Sequence, residues 1–193
     1  VKLYDKFDAE KVYGDIQQGL VTRISVVSVT LDKILREFER NGTVAHGSFK
    51  TMLAGGGPVP IDYLERAQTC GIPVLQTYGM TETSSQTATL SATDAIRKIG
   101  SAGKPLFFNQ IKINNTENAM ENGEVYVRGP HVTPGYIGHA ATQNQLIDGW
   151  LPTGDIGYLH ARGYLYIVHR RSDLIVLGGE HLYTVVIGNV LEG

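Results

Sequence analysis

The sequence predicts an α/β protein in which a parallel sheet covered by helices is followed by antiparallel β-structure. Up to about residue 90, strands alternate with helices of about 10 to 15 residues, the pattern of a covered parallel sheet. From Gly100 onward the helical periodicity is absent, and short alternating segments stand between turns. With 193 residues, 42% apolar and 19% charged, the chain is long enough to bury a core.

The clearest element of the first half is a helix with one apolar face. Leu31, Ile34, Leu35 and Phe38 fall at i, i+3, i+4 and i+7, and charged residues fill the other face. The other elements predicted in this half are a helix over 8–18, a strand over 24–29, a strand over 49–54, a helix over 60–70 and a strand over 72–78.

The second half is predicted to consist of short antiparallel strands. The predicted strands cover 110–114, 124–128, 158–160, 164–169 and, as a last apolar strand, 174–177. A polar hairpin loop is expected over 114–123, and a subdomain boundary near residues 90–100.

Composition restricts the classes of partner. The formal net charge of -2 provides no basic surplus for nucleic acid, so small molecules are the expected partners. The only cysteine, Cys70, excludes an internal disulfide and fits a reducing compartment, so we expect the cytoplasm. No apolar run reaches the roughly 20 residues of a membrane helix. Whether the protein forms a homo-oligomer stays open.

Two polar loops follow predicted strands at the edge where parallel sheets bind ligands. The loop 54–60, AGGGPVP, contains Gly55, Gly56 and Gly57, which allow the main chain to approach a planar ring or a phosphate. A plain strand-to-helix turn explains these glycines equally well. The loop 76–86, QTYGMTETSSQ, places several hydroxyls, a glycine and one carboxylate in what we expect to be a single turn. Hydroxyls donate to phosphate oxygens, and carboxylates bind Mg²⁺.

Further along the chain, Asp155 is predicted to lie in a Thr-Gly-Asp turn between strands. Its carboxylate can accept hydrogen bonds from the hydroxyls of a sugar, and an Asx-type turn is an equally good interpretation. Arg170 and Arg171 fit either a solvated strand end or a phosphate or ribose contact. The histidines, which include His46, His131, His139 and His160, show no metal-ligand spacing and are expected at the surface or in loops.

Four motifs in fixed order resemble the adenylate-forming superfamily of acyl-CoA synthetases, luciferases and peptide-synthetase adenylation domains. The motifs are AGGGPVP, QTYGMTET, GWLPTGDIGYL and HRRSDLIVLGGEHLY. Within it, YGMTETSSQ, GSAGKPLF and RRSDLI are most similar to the o-succinylbenzoate-CoA ligases of menaquinone biosynthesis. The resemblance implies a fragment of that fold, with part of a nucleotide-binding αβ subdomain over 1–95, a β-barrel-like subdomain over 96–171, and a hinge with the start of a small C-terminal domain over 172–193.

The implied activity is that of an ATP-dependent acid-thiol ligase. A carboxylic acid attacks the α-phosphate of ATP to give an acyl-adenylate and pyrophosphate, and the thiol of CoA then displaces AMP. The implied ligands are therefore ATP and AMP, Mg²⁺, CoA as co-substrate, and a small-molecule acid such as o-succinylbenzoate.

The same resemblance implies roles for individual residues. Glu82 matches the Mg²⁺-binding glutamate and Thr81 the threonine at the α-phosphate, and these two are the catalytic candidates. The implied nucleotide-binding residues are Gly55, Gly56, Gly57, Tyr78 against adenine, Gly79, Thr81, Asp155 at the ribose and Arg170 beside it. Thr77 and Ser85 match positions near the acyl pocket, and Ser172 matches the hinge between the two half-reactions.

The sequence also departs from the superfamily pattern. The glycine-rich phosphate loop and the lysine of the C-terminal domain are absent, so we expect the chain alone to be unable to form an acyl-adenylate. After Glu180, His181 and Gly188 replace the usual acidic helix start. The alternatives are a fatty- or aryl-acid CoA ligase and a non-catalytic nucleotide-binding module derived from a ligase. A dinucleotide-binding oxidoreductase is disfavoured because no G-x-G-x-x-G follows the first strand.

Overall fold

The structure, a computed structural model, describes residues 1–95, 97–114, 116, 118–137, 146–170, 174–177 and 180–183. The chain divides into two compact units. The first comprises Val1–Met80 and Ala88–Gly103, and the second comprises Thr81–Thr87 and the chain from Lys104 onward. The three-part division expected from the sequence stays a prediction.

The first unit contains the predicted parallel sheet and its helices. Strand β1 pairs in parallel with β2, and β2 pairs in parallel with β3. The elements in chain order are α1 (Ala9–Gln17), β1 (Arg23–Val26), α2 (Ser28–Asn41), β2 (Thr51–Ala54), α3 (Ile61–Thr69) and β3 (Val74–Met80). No helix among the described residues is long and apolar enough to cross a membrane.

Helix α2 supplies much of the core of the first unit. The residues of its predicted apolar face are all at 0% relative exposure: Leu31, Ile34, Leu35 and Phe38. The ring of Tyr13 on α1 meets Phe38 edge-on, with 4.9 Å between ring centroids. The helix ends at Gly42, whose φ of 60° is a left-handed conformation that costs glycine little. The predicted helix is confirmed.

Two predicted strands are shorter in the structure. Strand β1 stops at Val26, where the prediction continued to Val29, because α2 already begins at Ser28. The N–H of Val27 donates to Oγ1 of Thr30 at 3.0 Å, which satisfies one backbone donor at the start of this helix. Strand β2 begins at Thr51, two residues later than predicted. The predicted strand over 24–29 was therefore wrong at its C-terminal end, where helix α2 begins.

The second unit contains the predicted antiparallel sheet, in the strand order β6-β7-β8-β9. The elements from residue 81 onward are a single 3₁₀ turn (Thr81–Thr83), β4 (Ser85–Thr89), β5 (Lys104–Pro105), β6 (Gln110–Ile113), β7 (Gly123–Arg128), β8 (Leu151–Leu159), β9 (Leu165–Arg170), β10 (Leu174–Leu177) and β11 (Glu180–Tyr183). Strand β4 begins in the second unit and ends in the first. Strands β10 and β11 form a separate antiparallel pair. The predicted succession of parallel and antiparallel structure is confirmed.

Buried residues of neighbouring strands hold the antiparallel sheet together. Val125 and Val127 on β7 and Leu165 on β9 are at 0% relative exposure. Gly157 on β8 lies so close to β9 that an added Cβ would stand 2.3 Å from the carbonyl oxygen of Tyr166. Only glycine permits this approach of the two strands.

Candidate active site

The hydroxyl-rich motif 76–86 extends over three short elements. Its candidate residues are Thr77, Tyr78 and Gly79 on β3, Thr81 and Glu82 on the 3₁₀ turn, and Ser85 at the start of β4. The expectation of a single turn was wrong because β3 continues to Met80 before the chain turns. The turn itself closes through Ser84, whose φ is 58° and whose N–H donates to the carbonyl of Thr81 at 3.1 Å.

The glycine loop lies between β2 and α3, as predicted. An added Cβ at Gly55 would stand 2.5 Å from Oγ1 of Thr77, so the main chain of the loop lies directly against this candidate acyl-pocket residue. Gly56 has a φ of 79°, in the region that favours glycine. At the end of the loop, Oγ of Ser28 donates to the carbonyl of Pro58 at 2.8 Å. These contacts fix the loop, and the choice between a plain turn and a ligand site stays open.

The Glu82 carboxylate is held by residues 131–136, which we call the strap. The hydroxyl of Tyr136 donates to Oε1 of Glu82 at 2.6 Å. The N–H of Thr133 donates to the main-chain carbonyl of Glu82 at 2.8 Å. Glu82 is thus fixed through its backbone and its side chain. The hydrogen bond to Glu82 also raises the pKa of Tyr136, because it stabilises the protonated phenol.

The strap has a second anchor near its start. Oγ of Ser84 donates to the carbonyl of His131 at 3.0 Å. Oγ1 of the fully buried Thr87 lies 3.0 Å from Nε2 of His131. Nδ1 of His131 is buried and has no hydrogen-bond partner among the described residues, and burial lowers the pKa of this imidazole. His131 lies in a loop as predicted, and its Nδ1 is buried.

Asp155 and Arg170 stand opposite each other in the antiparallel sheet. They are register partners on β8 and β9, and Oδ1 of Asp155 lies 3.8 Å from Nε of Arg170. The aspartate side chain is 15% exposed and the arginine side chain 57%. The predicted turn at Asp155 was wrong, because Leu151–Leu159 is a single strand. Its register with β7 is irregular between Pro152 and Ile156, and Asp155 pairs with Arg170 on β9.

Within each unit, the structure brings some of the predicted site residues together. Gly55 meets Thr77 in the first unit, and Asp155 meets Arg170 in the second. The predicted hinge residue, Ser172, and its neighbour Arg171 lie outside the described residues.

Sequence reasoning missed the hydrogen-bonding roles of His131, Thr133 and Tyr136. The only available signal was a Thr-Pro-Gly turn immediately before Tyr136. No local pattern could reveal a hydrogen bond between side chains separated by 54 residues.

The residues of the Glu82 turn fit a magnesium ion brought by a phosphate ligand. No cluster of three or more histidine, cysteine, aspartate or glutamate residues able to hold a metal occurs in the described part of the chain. Mg²⁺ commonly binds through one or two carboxylates, with water and substrate phosphates as the other ligands. The single carboxylate of Glu82, next to the exposed Thr81, meets that requirement without an all-protein cage.

Comparison with known proteins identifies the family to which this chain belongs. A sequence model described as AMP-binding enzyme matches residues 1–137, and the chain belongs to that family. Among its relatives, a 2-succinylbenzoate--CoA ligase from Oceanobacillus iheyensis is 48% identical over 99% of this chain and 40% of its own length.

Two solved structures of o-succinylbenzoate CoA synthetase (MenE) from Bacillus subtilis are similar to this chain, each at 42% identity over 97% of the chain. One is in complex with the acyl-adenylate intermediate OSB-AMP and has a TM-score of 0.87 over 39% of its length. The other is in complex with ATP and magnesium ion and has a TM-score of 0.86 over 40% of its length. The resemblance to the adenylate-forming fold is confirmed, and the chain spans about two fifths of the relatives that it matches.

Proposed function

We propose that this chain is part of an ATP-dependent acid-CoA ligase that uses o-succinylbenzoate. The observation that carries the proposal is the fixed carboxylate of Glu82 at the end of β3, in a chain 42% identical to a synthetase whose structure holds ATP and magnesium. The substrates are a carboxylic acid, ATP and CoA. The buried thiol of Cys70, whose pKa is raised by burial, fits the reducing cytoplasm that we propose as its compartment.

In the first unit, the proposed contacts are to adenine and the acid. Tyr78 offers a planar face on which adenine can lie. Gly79 and the loop of Gly55, Gly56 and Gly57 permit close approach of the main chain. Thr77 borders the acyl pocket, and its packing against Gly55 supports that role because the glycine leaves no side chain between them.

In the second unit, the proposed contacts are to the phosphates and the ribose. Thr81 donates its hydroxyl to the α-phosphate, and Ser85 lies near the acyl group. Asp155 accepts hydrogen bonds from the ribose hydroxyls, and Arg170, 3.8 Å from it, orients the carboxylate. Ser172 is proposed as the hinge position.

Glu82 is the proposed protein ligand of Mg²⁺. Mg²⁺ held there would supply positive charge to offset the negative charge of the phosphates. The side chains of this chain bind and orient the reactants. The acid carboxylate bonds to the α-phosphorus as pyrophosphate leaves. The CoA sulfur then bonds to the acyl carbon as AMP leaves, and the thiol proton is released to solvent. Positioning of this kind lowers the barrier by removing orientational freedom before the reaction.

The test is the acid dependence of AMP release by the whole protein that carries this chain. With ATP, Mg²⁺ and CoA present, we expect o-succinylbenzoate to support release at a higher kcat/KM than any member of a panel of fatty and aryl acids. No release with o-succinylbenzoate, together with release on another acid, would reject the narrow substrate assignment and keep the ligase.

Two further experiments test the expected inactivity of the isolated 193-residue chain and the alternative of a non-catalytic nucleotide-binding module. We expect no exchange between ATP and labelled pyrophosphate by the isolated chain, and exchange would overturn that expectation. Calorimetric titration with AMP then examines the non-catalytic nucleotide-binding module. Saturable AMP binding by a whole protein that is inactive on every acid would favour that alternative over the ligase.

A further inference from the structure

The strap contains a residue that acts on the metal site through another side chain. We propose that Tyr136 is a positioning residue whose hydroxyl holds one oxygen of the Glu82 carboxylate and leaves the other oxygen to Mg²⁺. This inference rests on the proposed function, because it assumes that Glu82 binds the metal. It adds a residue to which neither the sequence motifs nor the resemblance assigned a role.

The geometry of the contact supports a positioning role. The phenol donates to Oε1 at 2.6 Å, the short distance of a charge-assisted hydrogen bond. Among the described residues, no hydrogen bond reaches Oε2 of Glu82. A phenol donates a hydrogen bond without bringing a positive charge, so the contact does not compete with a metal cation as a cationic partner would.

The position of Tyr136 is set by the fold of the strap. Oγ1 of Thr133 donates to the carbonyl of Gly135 at 3.0 Å and accepts from its N–H at 3.2 Å. Gly135, directly before Tyr136, has a φ of 146°, within the range that favours glycine. The N–H of Thr133 meanwhile donates to the Glu82 carbonyl. The phenol and the carboxylate are therefore attached to backbones that are bonded to each other.

The expected effect follows from the behaviour of hydrogen-bond partners of metal ligands. Removing such a partner typically lowers metal affinity or activity about 10- to 100-fold. The side chain of Glu82 is half-buried and that of Tyr136 is 42% exposed, so water can replace part of the lost bond. We therefore expect the lower end of that range, about tenfold.

The experiment measures ATP binding by the whole protein with and without Mg²⁺, by calorimetry and in the absence of acid so that no reaction occurs. Tyr136→Phe removes one hydroxyl and keeps the ring. The expected result is a Kd for ATP about tenfold higher in the presence of Mg²⁺ and unchanged in its absence. Glu82→Gln should show the same selective loss. Tyr63→Phe, which removes a hydroxyl from helix α3, is the matched control and should change neither value.

Adding Tyr136→Phe to Glu82→Gln should cause no further loss, because the phenol acts only through the carboxylate. A selective loss in Glu82→Gln with no loss in Tyr136→Phe overturns the inference and leaves the proposed function standing. Equal loss with and without Mg²⁺ in Tyr136→Phe indicates a merely structural residue and also overturns it. No metal-dependent loss in Glu82→Gln rejects the metal role of Glu82, and the inference with it.

Discussion

Helix α2 in the first unit and the Glu82 turn in the second are held in place by different forces. The helix buries a continuous apolar face at 0% exposure. The turn is held by hydrogen bonds from the strap, among them those from Thr133 and Tyr136. Apolar burial is non-directional and contributes most of the stability, whereas each hydrogen bond adds only about 0.5–1.5 kcal/mol net but fixes an orientation. The apolar face of helix α2 stabilises the fold, and the hydrogen bonds of the Glu82 turn orient the carboxylate of Glu82.

The largest effect that this comparison predicts is that of Phe38→Ala. Phe38 is fully buried in the core of the first unit and meets Tyr13 edge-on, so truncation leaves a cavity in that core. We expect the free energy of unfolding of the first unit to fall by about 3–5 kcal/mol. Native-state hydrogen exchange at the amides of α2 measures it, because two compact units need not unfold together.

The control is Val29→Ala on the same helix. Val29 is 64% exposed, and its replacement should change the free energy of unfolding by less than about 0.5 kcal/mol. A cost for Phe38→Ala as small as that of the control would show that the apolar face does not dominate the stability of this unit.

The apolar face of helix α2 could be predicted from the sequence, since helical spacing alone identified the residues that the helix buries. The prediction failed at the end of β1, where Val29 continues a β-branched run and yet lies in the first turn of α2. The preference of β-branched residues for strands is overridden at this position by the packing of helix α2.

Strands β4 and β8 were harder to predict from the sequence. Strand β4, SQTAT, lacks the alternation of a typical strand, and its buried members are small or polar, such as Thr87 and Ala88. Asp155 follows Pro152 and Gly154, residues typical of turns, but Pro152 pairs with Tyr126 on β7 and Asp155 pairs with Arg170 on β9, so the segment continues as strand β8. Strand pairing and long-range hydrogen bonds depend on residues distant in sequence, which a local pattern does not contain.

The candidate site divides in the same way. The metal role of Glu82 stays a prediction, and it comes from the resemblance of its motif to the superfamily. The hydrogen bond from Tyr136 to Glu82 was not predicted, since Tyr136 follows 54 residues later and belongs to none of the four motifs. The motifs contain the residues to which the resemblance assigns roles. The residues that orient them lie elsewhere in the sequence and come near them only in the folded chain.

An intermediate effect is predicted for Thr87→Val. The substitution keeps the shape of a fully buried side chain and removes the hydroxyl that pairs with Nε2 of His131. The imidazole nitrogen is then left without its partner, at a cost of about 1–3 kcal/mol. Hydrogen exchange at the amide of Thr133, which donates to Glu82, should speed up accordingly. Thr69→Val, at an exposed position of α3, is the control, and equal protection of Thr133 in both variants would contradict the anchoring role of Thr87.

A smaller effect is expected where polar contacts supplement the apolar region. Arg66 on α3 donates to both carboxylate oxygens of Glu39, at 2.6 and 2.9 Å, and to Asp32 at 2.7 Å. Arg66→Met keeps much of the apolar stem and removes these bonds. We expect a loss of about 1–2 kcal/mol, measured by hydrogen exchange in α2. Arg40→Met, whose partner Glu37 is on the same helix, should cost less than about 0.5 kcal/mol.

The same ion pair predicts a pH dependence, the smallest effect expected here. The hydrogen bond from Arg66 lowers the pKa of Glu39 in the folded state. A carboxyl with a lowered folded pKa stabilises the fold above its unfolded pKa of about 4.3, and this contribution is lost as the pH falls through the folded pKa. Arg66→Met should therefore differ most from the unsubstituted protein near neutral pH and approach it in acid. If the difference between the two proteins stays constant from about pH 7 to about pH 3, the ionised state of Glu39 contributes nothing, and the loss comes from packing of the arginine stem alone.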